Sequence, residues 1–175
     1  GYSYEGDVWA KQKRFADAAK SYQQSLQLYA HSETALKLHA ARMMAGNVKE
    51  ADADLARWLL QHPREQIVQH YLAESYMRQA NWKLAIPQYQ LILSMYPRDI
   101  RALNNLANSF MSAGDLAAAR ATIEKAELFN AKDAEVLDTH ASILAASGDA
   151  AGAMNKVDAA LERDTNNPNI RLHRA

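Results

Sequence analysis

A chain of 175 residues with twenty basic and twenty acidic side chains has no net charge, so no overall field draws it to nucleic acid or an anionic membrane. The absence of cysteine excludes disulfide scaffolds, thiolate metal sites and thiol nucleophiles. No apolar run reaches the ~18 residues that span a bilayer, while a hydrophobic content of 49% supports a folded core.

Five alanines recur along the chain, Ala18, Ala51, Ala85, Ala119 and Ala153, at spacings of 33, 34, 34 and 34. Four places after each stands Tyr22, Leu55, Tyr89, Ile123 or Val157. Such a period is the length of one helix-turn-helix unit, and it predicts an all-α array of stacked hairpins.

The first unit is expected as helices over 2–12 and 16–29, with Tyr2, Gly6 and Trp9 on the buried side of the first. Helices over 33–45 and 48–61 follow, the former burying Leu36, His39, Ala40 and Met43. The third pair covers 66–79 and 82–95, with Gln69, Leu72, Ala73 and Tyr76 as its stripe. In that second helix Pro87 predicts a local bend by pressing on the carbonyl of Lys83, unless the helix starts late and the proline sits in its first turn. The fourth pair covers 100–112 and 116–129, with Leu103, Leu106, Ala107 and Phe110. The fifth covers 134–146 and 150–163, with Leu137, His140, Ala141 and Leu144. A truncated sixth unit is expected from Pro168, and because Gly1 already falls within a repeat, the chain reads as an excised segment of a longer protein.

Turn chemistry agrees with this phase. Asn47, Asn81, Asp115 and Asp149 precede the second helices, where each is expected to cap an orphaned amide. Gly46, Gly114 and Gly148 stand just before, at places that need a left-handed residue. Pro63 and Pro97 close their units, because proline cannot continue a helix.

Catalysis has little to rest on. No H-E-x-x-H, G-x-S-x-G or phosphate-binding glycine loop occurs, and no metal or cofactor site is expected. His39 and His140, read as one repeat place, are expected to be satisfied interior histidines. Asp52 and Asp54 lie two apart on a helix, so they diverge, and a solvated face is expected.

Binding fits the pattern better, because stacked hairpins curve and their first helices line the concave side. Beside the buried stripes this wall is expected to carry Lys37 and Met44, then His70, Glu74, Met77 and Arg78. It continues with Arg101, Asn104, Asn108 and Met111, and then Asp138. Met44, Met77 and Met111 form a row that either offers adaptable apolar contact or packs between neighbouring helices. The polar groups suit a peptide backbone or sugar hydroxyls, and the alternative is a solvated face. No basic stripe with stacking aromatics lines the groove, so RNA is not expected.

On these residues the chain resembles the tetratricopeptide repeat (TPR) superfamily over essentially its whole length. The resemblance implies a TPR-type α-solenoid, a right-handed superhelix of about five repeats forming one array over 1–175. Its units would be 1–32, 33–65, 66–99, 100–133 and 134–167, with a partial sixth at 168–175. It implies a scaffold or adaptor that binds a protein or peptide in its concave groove. The carboxylate clamp found in some members is not expected, since its places hold Lys37, Ala41, Tyr71, Arg101 and Asn105.

Four runs carry a narrower resemblance: Arg57-Trp58-Leu59-Leu60-Gln61-His62-Pro63, Leu103-Asn104-Asn105-Leu106-Ala107, Leu137-Asp138-Thr139 and Asn169-Ile170-Arg171-Leu172-His173. They are similar to bacterial TPR lipoproteins of the PEP-CTERM/exosortase system, although tryptophan is usual there where Asn108 and Ser142 stand. This implies a role in exopolysaccharide assembly or envelope protein sorting, with exopolysaccharide machinery as partner, in the periplasm or anchored to the outer membrane. The alternative is a substrate-selecting arm of a larger enzyme, such as a glycosyltransferase.

Overall fold

The computed structural model describes residues 1–163; the sixth unit expected from Pro168 and the run Asn169–His173 lie outside the described residues. Ten α-helices and no strand occur among the described residues. They are α1 (Tyr2–Lys11), α2 (Phe15–Leu28), α3 (Ser32–Met44), α4 (Val48–Gln61), α5 (Gln66–Arg78), α6 (Trp82–Met95), α7 (Ile100–Ser112), α8 (Leu116–Phe129), α9 (Ala134–Ala146) and α10 (Ala150–Arg163). The chain divides into two compact units, Gly1–Ser75 and Tyr76–Ala175.

In the first unit α2 packs on α1, α3 on α2 and α4 on α3. Its core gathers Ala18, Ala19 and Tyr22 of α2 with Leu38 and Ala41 of α3, flanked by Trp9, Ala10 and Leu26. Gly6 of α1 lies directly under Tyr22: a Cβ built there would sit 2.4 Å from the ring. Only glycine lets the two helices cross with that tyrosine between them.

In the second unit α6 to α10 pack in chain order. One cluster joins Leu103 and Ala107 of α7 to Ala119, Ile123 and Ala126 of α8 and to Val136 and Ile143 of α9. A second joins Leu137 and Ala141 of α9 to Val157 and Ala160 of α10. All five recurring alanines and the five residues four places on are buried, so the sequence period is the period of the core.

The stripe expected in α3 is one residue out of register. Ala40 is exposed, and Leu36 and Met43 are only half-buried; the buried set is Thr34, Ala35, Leu38, His39 and Ala41. Only residues 29–31 join α2 to α3, whereas residues 62–65, 96–99 and 130–133 make the later connections one residue longer. The missing residue therefore precedes α3, which keeps the ordinary phase with α4. His39 then falls where Gly6, Ala73, Ala107 and Ala141 stand, and His140 falls one place earlier, with Leu38, Leu72 and Leu106. The two histidines do not share a repeat place.

Every hairpin turn has a left-handed residue at one place: Lys13 (φ 59°), Gly46 (φ 82°), Ala80 (φ 52°), Gly114 (φ 87°) and Gly148 (φ 85°). Among the four expected caps only the acids bond the helix. Asp115 accepts from the Ala118 amide at 3.0 Å and Asp149 from the Gly152 amide at 2.8 Å. Asn47 and Asn81 hold the cap position without a side-chain bond. Two first helices have caps the sequence reading missed, Asp99 at the Ala102 amide (2.9 Å) and Asp133 at the Glu135 and Val136 amides (3.0 and 3.2 Å). Because α6 begins at Trp82, Pro87 lies past its first turn and the late-start alternative fails. It is tolerated there on an exposed side of the helix, next to an exposed Lys83.

The turn geometry makes two opposed substitutions informative. Ala80→Gly is expected to raise stability by about 1 kcal/mol by removing the Cβ strain of a left-handed residue, and Gly114→Ala to lower it by about as much. Denaturant midpoints of the two variants check the signs.

Candidate functional site

Within the first unit the expected wall residues are drawn into bracing bonds. Lys37 Nζ lies 3.1 Å from Asp7 of α1 and 3.1 Å from Glu33 of its own helix. Asp7 also accepts from the Tyr22 hydroxyl at 2.8 Å, so one carboxylate ties α1, α2 and α3 together. Burial alone would raise the Asp7 carboxyl, but the bonds from Tyr22 and Lys37 outweigh it and hold it below the ordinary value. Burial, with the same bond to Asp7, pushes the Tyr22 hydroxyl up, and the bonds to Glu33 and Asp7 raise Lys37 against its own burial.

His70 is buried, Glu74 half-buried and Met44 exposed. The register of α3 removes Met44 from the methionine row and puts Met43 there, at even spacings of 34 to Met77 and Met111. Met44 falls with Arg78 on the next strip of the helix.

Deeper in the same unit His39 is fully buried, with Nε2 2.9 Å from Asp52 Oδ1 of α4. The Ser75 hydroxyl lies 3.2 Å from the same carboxylate oxygen and 3.4 Å from the same ring nitrogen. Tyr71 meets the imidazole edge-on, with ring centroids 5.2 Å apart. A serine, a histidine and an aspartate thus converge without the geometry of a catalytic triad. In a triad the acid and the nucleophile bond opposite ring nitrogens, whereas here both meet Nε2. Asp54 turns the other way, to Arg42 (3.1 Å) and Arg57 (2.9 Å). The pair diverges as expected, but both carboxylates are largely covered and neither lies on a solvated face.

The second unit offers the more open wall. Arg78 and Arg101 are exposed, and Asn104, Asn108, Met111 and Asp138 are half-buried along α7 and α9. Asn108 Nδ2 donates to the Thr139 hydroxyl at 3.3 Å, linking those two helices. The carboxamide oxygen of Asn104 is buried and has no donor within the protein. Met77 accepts a bond from the Tyr89 hydroxyl (3.1 Å), and Met111 packs against the α7–α9 core. Both methionines therefore serve packing first.

His140 is buried, its Nδ1 2.7 Å from Glu127 Oε2 of α8, while Lys156 of α10 reaches the other oxygen of Glu127. Burial would push the Glu127 carboxyl up, but the bonds with Lys156 and His140 prevail and hold it below the ordinary 4.5. This three-helix brace and the one at Asp7 escaped the sequence reading. The only trace of the first was an ionisable residue at apolar repeat places, Glu127 among leucines and His140 after Leu38, Leu72 and Leu106; the Asp7 brace left none. Among the described residues no three acidic or histidine side chains are grouped to hold a metal ion, and no helix is long and apolar enough to cross a membrane.

Comparison with known proteins agrees with this architecture. Residues 71–135 match the tetratricopeptide repeat family. Among solved structures, MamA from Desulfovibrio magneticus RS-1 superposes with a TM-score of 0.75 at 14% identity, covering 95% of each chain. A thermophilic TPR protein of Thermus thermophilus gives 0.71 at 16% identity, over 99% of this chain and 95% of that one. MamA AMB-1 gives 0.69 at 21% identity, over 95% and 99%. No curated protein matches the chain in sequence. The fold is a TPR-type α-solenoid.

The depressed Glu127 carboxyl has a pH consequence. Its contribution is fully present above about pH 4.5 and is lost as acid titrates the folded protein below that value. The melting temperatures of wild type and Glu127→Gln are expected to differ at neutral pH and to converge as pH falls below the ordinary carboxylate value. Parallel curves would show that the carboxylate contributes nothing to folding.

Proposed function

We propose that the chain is a non-catalytic scaffold whose first-helix wall binds an extended segment of a protein partner, chiefly along α7 and α9. The observation that carries this is the half-buried amide row that α7 presents on the more open wall. The partly exposed side chain of Asn104 can bond the backbone of a peptide laid along that helix. Asn108 stands one turn further along, and exposed Arg101 lies nearby to meet a carboxylate on the partner. In the second unit Met77 and Met111 border the wall while serving the packing of their own helices; in the first unit Met44 is exposed and His70 buried. Lys37 stiffens the first unit, where Glu74 is half-buried, and Arg78 and Asp138 set charge at the margins of the second unit's wall.

The cellular setting belongs to the same proposal: a part in exopolysaccharide assembly or protein sorting at a bacterial envelope. It rests on the resemblance of four sequence runs alone, Arg57–Pro63, Leu103–Ala107, Leu137–Thr139 and Asn169–His173.

The binding reading is tested with a peptide selected on the wild-type chain from a random display library, measured by fluorescence anisotropy. Asn104→Ala with Asn108→Ala is expected to weaken it about tenfold or more, and Lys125→Ala, an exposed α8 residue, to leave it unchanged. The opposite order would put the binding surface on the second helices. Fractionation of the native cell tests the setting, and recovery from the cytosol alone would remove the envelope role while leaving the binding reading intact.

A further inference from the structure

A cleft of about 240 Å³ opens in the first unit between the second helices α2 and α4, with α3 as its floor. Both walls and the floor are contributed by this chain. Leu26 of α2 and buried Leu38 of α3 line its base, and Trp58 of α4 lines one side. Trp58 stands seven places after its recurring alanine. The same place holds Ile92, Ala126 and Ala160 in the later second helices, all of them fully buried. An indole is too large for a place built to that size, and Trp58 is only half-buried. It is fixed in position all the same. Its Nε1 donates to Glu65 Oε2 at 3.0 Å, and the His62 ring packs against it with centroids 4.3 Å apart. Neither of those two residues lines the cleft, so the indole is held from outside it.

The rim of the cleft is polar. Arg42 Nη2 donates to Gln23 Oε1 at 3.0 Å, which leaves the amide N–H groups of Gln23 to donate elsewhere. Asp54 is bonded by Arg42 (3.1 Å) and Arg57 (2.9 Å), and the Arg57 side chain stays 69% exposed. Exposed Gln27 and Gln61 add two more carboxamides. Three carboxamides, a guanidinium and an aromatic ring thus meet in a space smaller than the ~300–1,000 Å³ of ordinary ligand pockets. One peptide residue carries a single N–H and a single C=O, too few for that set. A pyranose ring matches it. Its several hydroxyls each donate and accept, and its apolar C–H face suits the electron-rich face of an indole.

The geometry points to a glycan subsite: the α2–α4 cleft takes one pyranose unit, with Trp58 as its platform and Gln23, Gln27, Arg57 and Gln61 bonding its hydroxyls. The subsite lies apart from the α7–α9 wall. It depends neither on that wall's role nor on an envelope setting.

The probes are the methyl glycosides of glucose, mannose, galactose and glucuronic acid, titrated against the full chain by saturation-transfer NMR. At least one is expected to saturate in the millimolar range, in contact through its ring C–H protons. Trp58→Ala is expected to weaken that glycoside about tenfold or more. Because alanine is native to this place in α8 and α10, the variant should keep its helical circular dichroism. Gln61→Ala, at an exposed residue, provides a second variant expected to weaken binding about threefold. Leu60→Ala, exposed but outside the cleft, is expected to leave it unchanged. No saturable binding of any of the four glycosides, or binding unaffected by both Trp58→Ala and Gln61→Ala, would overturn the proposal. Saturable binding of a polyproline peptide that Trp58→Ala abolishes, with no glycoside bound, would overturn it in favour of a peptide site.

Discussion

Close crossing of the two helices in each hairpin is the constraint on which the rest of the structure depends. A small residue near the middle of the first helix and an alanine on the second let the axes approach, and the larger side chain four places on closes the gap. In the first unit this is Gly6 with Ala18 and Tyr22, so tight that even a methyl group on Gly6 would strike the ring. In the second unit Ala107, Ala119 and Ile123 do the same in one cluster. Interiors packed to this density admit no spare methylene, so the alanines recur because nothing larger fits.

His39 is the case in which the small place is filled. An imidazole there must be buried, and a buried polar ring needs partners. Asp52 and Ser75 supply them, with Tyr71 closing over the edge. The braces at Asp7 and Glu127 have the same logic, each tying three helices through one carboxylate whose bonds outweigh its burial. Polar groups inside a solenoid thus fix neighbouring repeats in register, while the apolar period supplies most of the burial.

Helix number and bounds were legible in the sequence because the phase of alanines, glycines and capping residues all pointed one way. The register of α3 was not. A 33-residue interval does not say where its missing residue lies, and only the short α2–α3 connection places it before α3. That one-residue slip exchanged Met44 for Met43 and moved Ala40 from core to surface. Asn47 and Asn81 carried the right pattern without the bond, since cap geometry depends on side-chain rotamers that a sequence does not state. The candidate wall was legible as a face but not as a set of free groups. Lys37 and His70 read as ligands-in-waiting, yet one braces α1 against α3 and the other is buried. Asn104 was identified from its position alone; only the structure reveals its unmet oxygen.

The central claim is that smallness at the alanine positions, rather than helix propensity, sets the stack. The direct measurement compares urea unfolding of Ala119→Leu, in the α7–α8 core, with that of Ala121→Leu, two residues on and exposed. Leucine and alanine are both strong helix formers, so propensity alone predicts little change in either variant. The close-crossing account expects Ala119→Leu to lose about 1–3 kcal/mol and Ala121→Leu to stay within about 0.5 kcal/mol of wild type. Equal effects at the two positions would contradict it.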